Sequence, residues 1–564
     1  MCIRWSMGIF RNTCEKQKKG KCHVMKNAAL NGKSSAGNPR VRLCGGLLAC
    51  LCASAAFAAV DVAEYNHVIH PGTADGAGFW NVRAKWFMYA PAFGFEKVGG
   101  AVKYRFTVLD DWHEKQVFEA DEPTAALTPV WPKVRVGYTT VRCEGLSAAG
   151  AVVGLAGERT FWKAAGFDAA KYKPAARGYA ETARRVYAYI FDMKETKYLL
   201  EHGKPDASYE LNTYVSKMFA ALIRGMIGYS KLEPAKKDVA LKVAFAAADH
   251  LIAKSEPAGA PLAYFPPTYD GRGEKDNGYI AEKFKGQVML IYPASVAGAF
   301  VALYKATGAE KYLEHAKKIA ETYLKLQDKD GTWYLKIWAK DGKPVTPNRL
   351  VPIATVIPMF EGLFDLTGDT RYRVAADRAF RSVEGRLQDW NWEGQFEDVV
   401  PTERYRNLTK HDACATAIYF GTRFPGDKVR QEQMRELLRF SEDQFVCWEA
   451  PYLHGRGNYS DWNNYDTWCT PCALEQYNCY VPIDASAAKL IRTSLALYKA
   501  QGNPADLAKA RALGDTATRM QCPDGRLPTW WWPDRAKRVY ADWINCMMAT
   551  AEALEQLAAE TETK

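Results

Sequence analysis

From about residue 175 to about 560, segments with helical spacing of apolar residues are joined alternately by short and by long connections, and few folds satisfy that alternation. Turns such as Thr307-Gly308-Ala309-Glu310 and Thr367-Gly368-Asp369-Thr370 join one helix to the next within a few residues. The intervening connections, roughly 255–287, 328–351, 389–410, 445–479 and 521–542, are long and aromatic. If every second connection is short, all the long ones emerge on one rim of a helical array, and that rim is where binding and catalytic residues are expected.

Apolar spacing at i, i+3, i+4 and i+7 predicts about twelve helices, near 175–196, 209–230, 233–255, 287–307, 309–327, 351–367, 369–388, 409–421, 427–444, 479–500, 503–520 and 542–559. They make six hairpins. Gly308, Gly368 and Gly502 stand where a helix end requires positive φ, and an amphipathic helix follows each. Asp330-Gly331 and Asp524-Gly525 mark equivalent exits from two later helices. The helices that precede the short turns are the more uniformly apolar, as in 288–303, and read as an inner ring.

These turns and the Asp-Gly-Thr and Asp-Gly-Arg exits at 330–332 and 524–526 resemble those of the six-hairpin glycosidase superfamily, over about 385 residues. The resemblance implies a mainly α chain built as an (α/α)6 toroid of six helical hairpins, with substrate bound at the N-terminal ends of the inner helices. It does not choose a reaction, because hydrolases, polysaccharide lyases and sugar epimerases share the scaffold.

Upstream, the period changes to two. Segments 104–108, 134–138 and 151–155 alternate or run apolar over strand lengths, with turn residues between them, which predicts a small antiparallel β-sandwich of fibronectin-like type. The expected organisation is a leader over 1–58, the sandwich over 59–165 and the toroid over 166–564, with the Ala, Lys and Gly-rich stretch 163–178 as the boundary.

In the leader, Arg40 and Arg42 precede an apolar run from Leu43 to Ala56, and Ala56-Phe57-Ala58 supplies small residues for a signal peptidase. Cleavage before Ala59 and a periplasmic or extracellular location are the expectations, with Met25 as an alternative start. Leu47-Leu48-Ala49-Cys50 has the outline of a lipoprotein signal on too short an apolar run. No other stretch is long and apolar enough to span a bilayer. The leader holds ten Lys/Arg and one Glu, so the formal charge of +11 falls to +2 beyond it, 65 basic against 63 acidic residues. The basicity belongs to the export signal, and no nucleic-acid partner is expected.

Eight cysteines remain beyond the leader, seven of them after residue 410. Cys469-Thr470-Pro471-Cys472, with Cys479 nearby, has the spacing of half a zinc site, but buried small residues or disulfides bracing long loops are the preferred reading. No metal and no cofactor is called for. Phosphate-binding glycine loops, zinc-protease motifs and serine-hydrolase elbows are all missing from the sequence.

Nine of the seventeen tryptophans lie in the three C-terminal loops: Trp390, Trp392, Trp448, Trp462, Trp468, Trp530, Trp531, Trp532 and Trp543. Aromatic faces bind the C–H faces of sugar rings, which makes a carbohydrate the expected partner; packing of the loops is the alternative. Trp392, Tyr465, Trp468, Trp530, Trp531, Trp532, Asp542 and Arg404 are the candidate binding residues.

Glycoside hydrolysis needs two carboxyl groups across the scissile bond. Asp412 and Glu397 are favoured, with Asp461 and Asp466 in the longest loop as further candidates and Glu210 and Asp542 as fallbacks; Asp412 and Asp542 also read as helix caps. A lyase would instead need a Tyr or His base and a cation, which His411, Tyr465, Tyr405, Arg404 and Arg406 supply. The expected function is therefore an exported glycoside hydrolase, with a lyase on a uronate-containing glycan, then an epimerase, and finally a non-catalytic carbohydrate-binding protein as alternatives.

Overall fold

A computed structural model describes residues 62–69, 84–207, 214–270, 282–345, 351, 353–390, 392, 405–452, 468–477, 479–533 and 542–562. Among these, the inner helices are α3 (Val215–Leu232), α5 (Ile291–Thr307), α7 (Ile353–Thr367), α9 (His411–Arg423), α11 (Asp484–Gln501) and α13 (Ile544–Thr561). Each packs on the next, and α13 packs back on α3, so the ring closes. Outside it lie α1 (Tyr179–Asp192) with its short extension α2 (Lys194–His202), then α4 (Lys237–Lys254), α6 (Glu310–Leu326), α8 (Thr370–Asp389), α10 (Lys428–Phe445) and α12 (Pro504–Met520). The architecture is an (α/α)6 toroid of six helical hairpins.

The short turns work as the sequence requires. Gly308, Gly368 and Gly502 take φ of 72°, 69° and 70°, the left-handed conformation that costs an L side chain about 1–2 kcal/mol. All the long connections enter the N-terminal ends of inner helices, so six helix N-termini and their partial positive charges converge on one rim.

The two Asp-Gly exits share one clamp. Gln327 donates through Nε2 to Gly331 O and to Ala375 O of α8, at 3.0 and 2.9 Å; Gln521 does the same to Gly525 O and Thr182 O of α1, both at 3.0 Å. Arg378 and Arg185 reach back from those outer helices to the carbonyls of Asp328 and Pro523. The glycines are obligatory: at φ of 89° and 95°, an added Cβ would sit 2.3 Å from Arg378 O and 2.5 Å from Arg185 O. One internal repeat thus ties each of these hairpins to the next.

The long connections carry strands that the sequence reading did not expect. β8 (Gln287–Met289) pairs with β9 (Lys336–Trp338), and β10 (Val446–Cys447), β11 (Cys472–Gln476) and β12 (Cys479–Pro482) form a sheet over the start of α11. Ladder hydrogen bonds let these segments keep their buried backbone satisfied.

Ahead of the ring, β1 (Trp86–Phe87), β7 (Val152–Lys163), β6 (Gly137–Leu146), β3 (Lys103–Asp110) and β4 (Lys115–Ala120) form one five-stranded sheet in that order. It is antiparallel except that β1 enters parallel to β7. In place of a second full sheet, a two-stranded ribbon of β2 (Ala92–Gly94) and β5 (Thr124–Ala126) covers one face. Phe93 of that ribbon, and Phe95 just after it, pack on Phe87, Phe106 and Phe161. Segment 134–136, expected as a strand, precedes β6 and follows a turn at Trp131–Lys133.

The sheet is pinned to α10 by buried carboxylates. Asp443 accepts from the backbone N–H of Met88 and Tyr89 at 2.6 and 2.8 Å. Glu442 accepts from Tyr89 Oη, Trp448 Nε1 and Lys509 Nζ at 3.0, 2.8 and 2.6 Å. Trp448, counted with the aromatic rim in the sequence, therefore belongs to this joint. No helix among the described residues is long and apolar enough to cross a membrane.

Candidate active site

Partial exposure recurs along the inner helices with the i, i+4, i+7 spacing of one helical face: Ile291, Ser295 and Gly298 on α5, His411, Ala415 and Ile418 on α9, Ala485, Lys489, Arg492 and Ala496 on α11, and Asn545, Ala549 and Glu552 on α13. On α3 the corresponding residues are Lys217 and Arg224. These stripes face one another across the ring. Arg224 shows it directly, bonding Glu552 of α13 at 3.1 Å and Ser295 of α5 at 3.3 Å, its two neighbours in the circle. Small residues hold most of the wall around the ring's central channel, and the chemistry there falls to a few long polar side chains.

His411 is the first residue of the α9 stripe. The residue keeps a little exposed surface, but both ring nitrogens are themselves buried in the wall of this narrow space. Burial, and then Lys410, Lys489 and Lys217, hold its pKa well below the ordinary imidazole value, so the ring is neutral at neutral pH. Lys217 acts from α3, three places away around the ring, so both groups reach the central space. The neighbouring Lys410 is fully buried and donates to Leu474 O, Glu475 O and Ser486 Oγ at 2.5, 2.7 and 2.5 Å, pinning β11 to α9. Burial pulls its pKa down to about 7.

Asp412, adjacent in sequence, is 3% exposed and sits in the wall within electrostatic reach of Lys489. It is not a cap: Lys410 holds the cap position of α9, without a side-chain cap bond. Asp542 accepts from Arg526 Nη1 at 2.6 Å and from Thr529 N at 3.0 Å, which fastens the last exit loop below α13 and accounts for its acid without a sugar. Asp484 opens α11 fully buried, and burial raises its pKa well above the carboxylate range.

The tryptophan cluster divides. Trp392, Trp468, Trp531 and Trp532 are each under 5% exposed, and their rings pack inward rather than offering the sugar-facing surface that their clustering suggested. Trp468 stacks on Tyr452 at 4.6 Å. Trp530 stays half-buried against Trp532 at 5.8 Å, and Trp543 is half-buried beside Tyr214 at 5.2 Å with Lys217 Nζ 4.5 Å from its ring centroid. Of the lyase candidates, Tyr405 is buried with φ of 63° and Arg406 is exposed. Glu397, Asp461, Asp466, Tyr465, Arg404 and Glu210 lie outside the described residues.

Two features of the site were passed over in the sequence. Lys489 and Arg492 interrupt an otherwise apolar inner helix, which was a readable signal. Glu475 of β11, partly exposed, acts electrostatically on both Lys410 and Cys546, and so stands between the starts of α9 and α13. It gives no signal in the sequence, because a five-residue strand inside a long connection shows no clear period of its own. The eight cysteines among the described residues are thiols rather than disulfides, five of them buried, and no group of three or more potential ligands among the described residues could hold a metal.

No family model matches the sequence, and no curated protein matches it. Among solved structures, the chain is similar to a family 76 glycoside hydrolase from a bovine Bacteroides thetaiotaomicron strain, at 11% identity over 83% of this chain and 94% of that one, with a TM-score of 0.44. Cellobiose 2-epimerase from Spirochaeta thermophila aligns at 14% identity over 68% and 98%, with a TM-score of 0.48. A polysaccharide lyase aligns at 9% identity over 84% and 65%, with a TM-score of 0.41. The fold is the six-hairpin toroid. That statement rests on the closed ring of helices within this chain, and the chemistry rests on the channel.

Proposed function

We propose that this protein is a carbohydrate-active enzyme that works by proton abstraction, with His411 as the base. The observation that carries the reading is the placement of a neutral imidazole on the channel-facing stripe of α9, amid cations, while the adjacent Asp412 is turned into the wall. A neutral imidazole can take a proton from carbon, and nearby ammonium groups stabilise the enolate-like oxygen that develops. On a uronate the step is β-elimination. His411 removes the C5 proton, the electron pair forms the C4–C5 double bond, the C4–O bond breaks, and the imidazolium returns the proton to the departing oxygen. Half-buried Trp530 and Trp543 supply aromatic surface for the sugar ring.

The test is a panel of neutral and acidic polysaccharides, followed both by new reducing ends and by the ultraviolet absorbance of the conjugated double bond. We expect unsaturated product, with His411→Ala and His411→Gln slower by about 10²–10⁴-fold. New reducing ends without unsaturation, undiminished in His411→Ala, would refute this reading. That result would support hydrolysis instead, for which partly exposed Glu475, near the starts of α9 and α13, is the observation in favour.

A further inference from the structure

Lys489 and Arg492 lie three residues apart on the channel stripe of α11, so their side chains are neighbours on one helical face. Neither side chain forms a hydrogen bond or ion pair with a protein group among the described residues, and Arg492 Nε is buried without an acceptor. Arg224 on α3, by contrast, is answered by Glu552, and Lys410 by three acceptors. Two like charges side by side, away from bulk water, repel each other and lack the hydration they would have outside. Burial, and then Arg492, hold the Lys489 ammonium below its usual pKa in spite of the opposing pull of Asp412 in the wall. An anion entering from the rim would stabilise the arrangement, because a carboxylate can accept from a guanidinium and an ammonium together.

We infer that Lys489 and Arg492 form a subsite for the carboxylate of an acidic sugar, which makes uronic acids the substrate class. This rests on the proton-abstraction reading above and adds its specificity. It also gives the pair a role in the reaction. A carboxylate held by two cations is partly neutralised before the C5 proton is removed, which lowers the cost of the charge that moves onto it.

Binding rather than turnover tests it, with the full chain titrated calorimetrically with sodium D-glucuronate, D-glucose and sodium sulfate. Glucuronate should bind at least about tenfold more tightly than glucose, and Lys489→Gln or Arg492→Gln should each remove about tenfold of that preference while leaving glucose affinity unchanged. Arg492→Lys keeps the charge and should retain part of the preference, which separates loss of the subsite from loss of fold. His411→Ala should bind glucuronate as the wild type does. Equal affinity for glucuronate and glucose in the wild type, or an undiminished preference in both Gln variants, overturns the proposal. So does sulfate binding without glucuronate binding, which would make the pair a general anion site. If the preference is lost in the variants but His411→Ala keeps full activity, the subsite stands and the catalytic reading alone falls.

Discussion

Glu442 offers a quantitative check on how the sheet is joined to the ring. Its carboxylate serves three donors from three elements: Tyr89 after β1, Trp448 after β10 and Lys509 of α12. The Glu442 and Lys509 side chains are 2% and 5% exposed, so each charge depends on the other. In Glu442→Gln the shape is kept, but the amide can accept from only part of this set, and the Lys509 ammonium stays buried without its counter-charge. Breaking a buried pair in this way costs about 3–5 kcal/mol. Lys509→Met in the same background removes the stranded charge and should recover much of that loss, giving a coupling of about 2–3 kcal/mol in the double-mutant cycle. Chains of this length seldom unfold in one step, so native-state hydrogen exchange of the amides in α10 and β1 is the appropriate assay. Proteolysis of the 164–178 segment should accelerate in parallel. The reasoning fails if Glu442→Gln lies within about 0.5 kcal/mol of wild type, or if the double variant is no more stable than Glu442→Gln.

His315 of α6 is buried among Tyr264 and Phe300, and burial lowers its pKa from 6.5 to about 4. The unfolded state then binds more protons below the unfolded pKa, so stability is complete above pH 6.5 and is lost as the pH falls toward 4; relative to His315→Phe, the wild type should lose about 3 kcal/mol between those limits in pH-dependent denaturation. Gly331→Ala and Gly525→Ala should each cost at least about 2 kcal/mol, because a carbonyl collision adds to the strain of positive φ, whereas Gly308→Ala, with open space around it, should cost only about 1 kcal/mol in the same denaturation series. Trp531→Phe should lower stability without altering sugar affinity, while Trp530→Ala should weaken oligosaccharide binding by about 1–3 kcal/mol with little change in melting temperature; the opposite pattern would reverse their roles.

The ring itself was legible in the sequence because its determinants are local. Apolar periodicity marks the helices, Gly308, Gly368 and Gly502 end them where only positive φ will do, and the inequality of loop lengths puts the long connections on one rim. Choices between neighbouring residues were not legible. His411 and Asp412 are both polar and both begin α9, but successive residues on a helix point about 100° apart, so only the closure of six helices into a circle decides that one lines the channel and the other enters the wall. The same closure brings Lys489 to His411 and Lys217, which lie far away along the chain. Clustering of tryptophans in the sequence likewise could not tell Trp530 from Trp531, since adjacent residues in extended backbone face opposite ways. Sequence alone determined the helices, their order and the rim; the tertiary structure decided which side chains meet there, because contact across a ring joins residues that no local pattern relates.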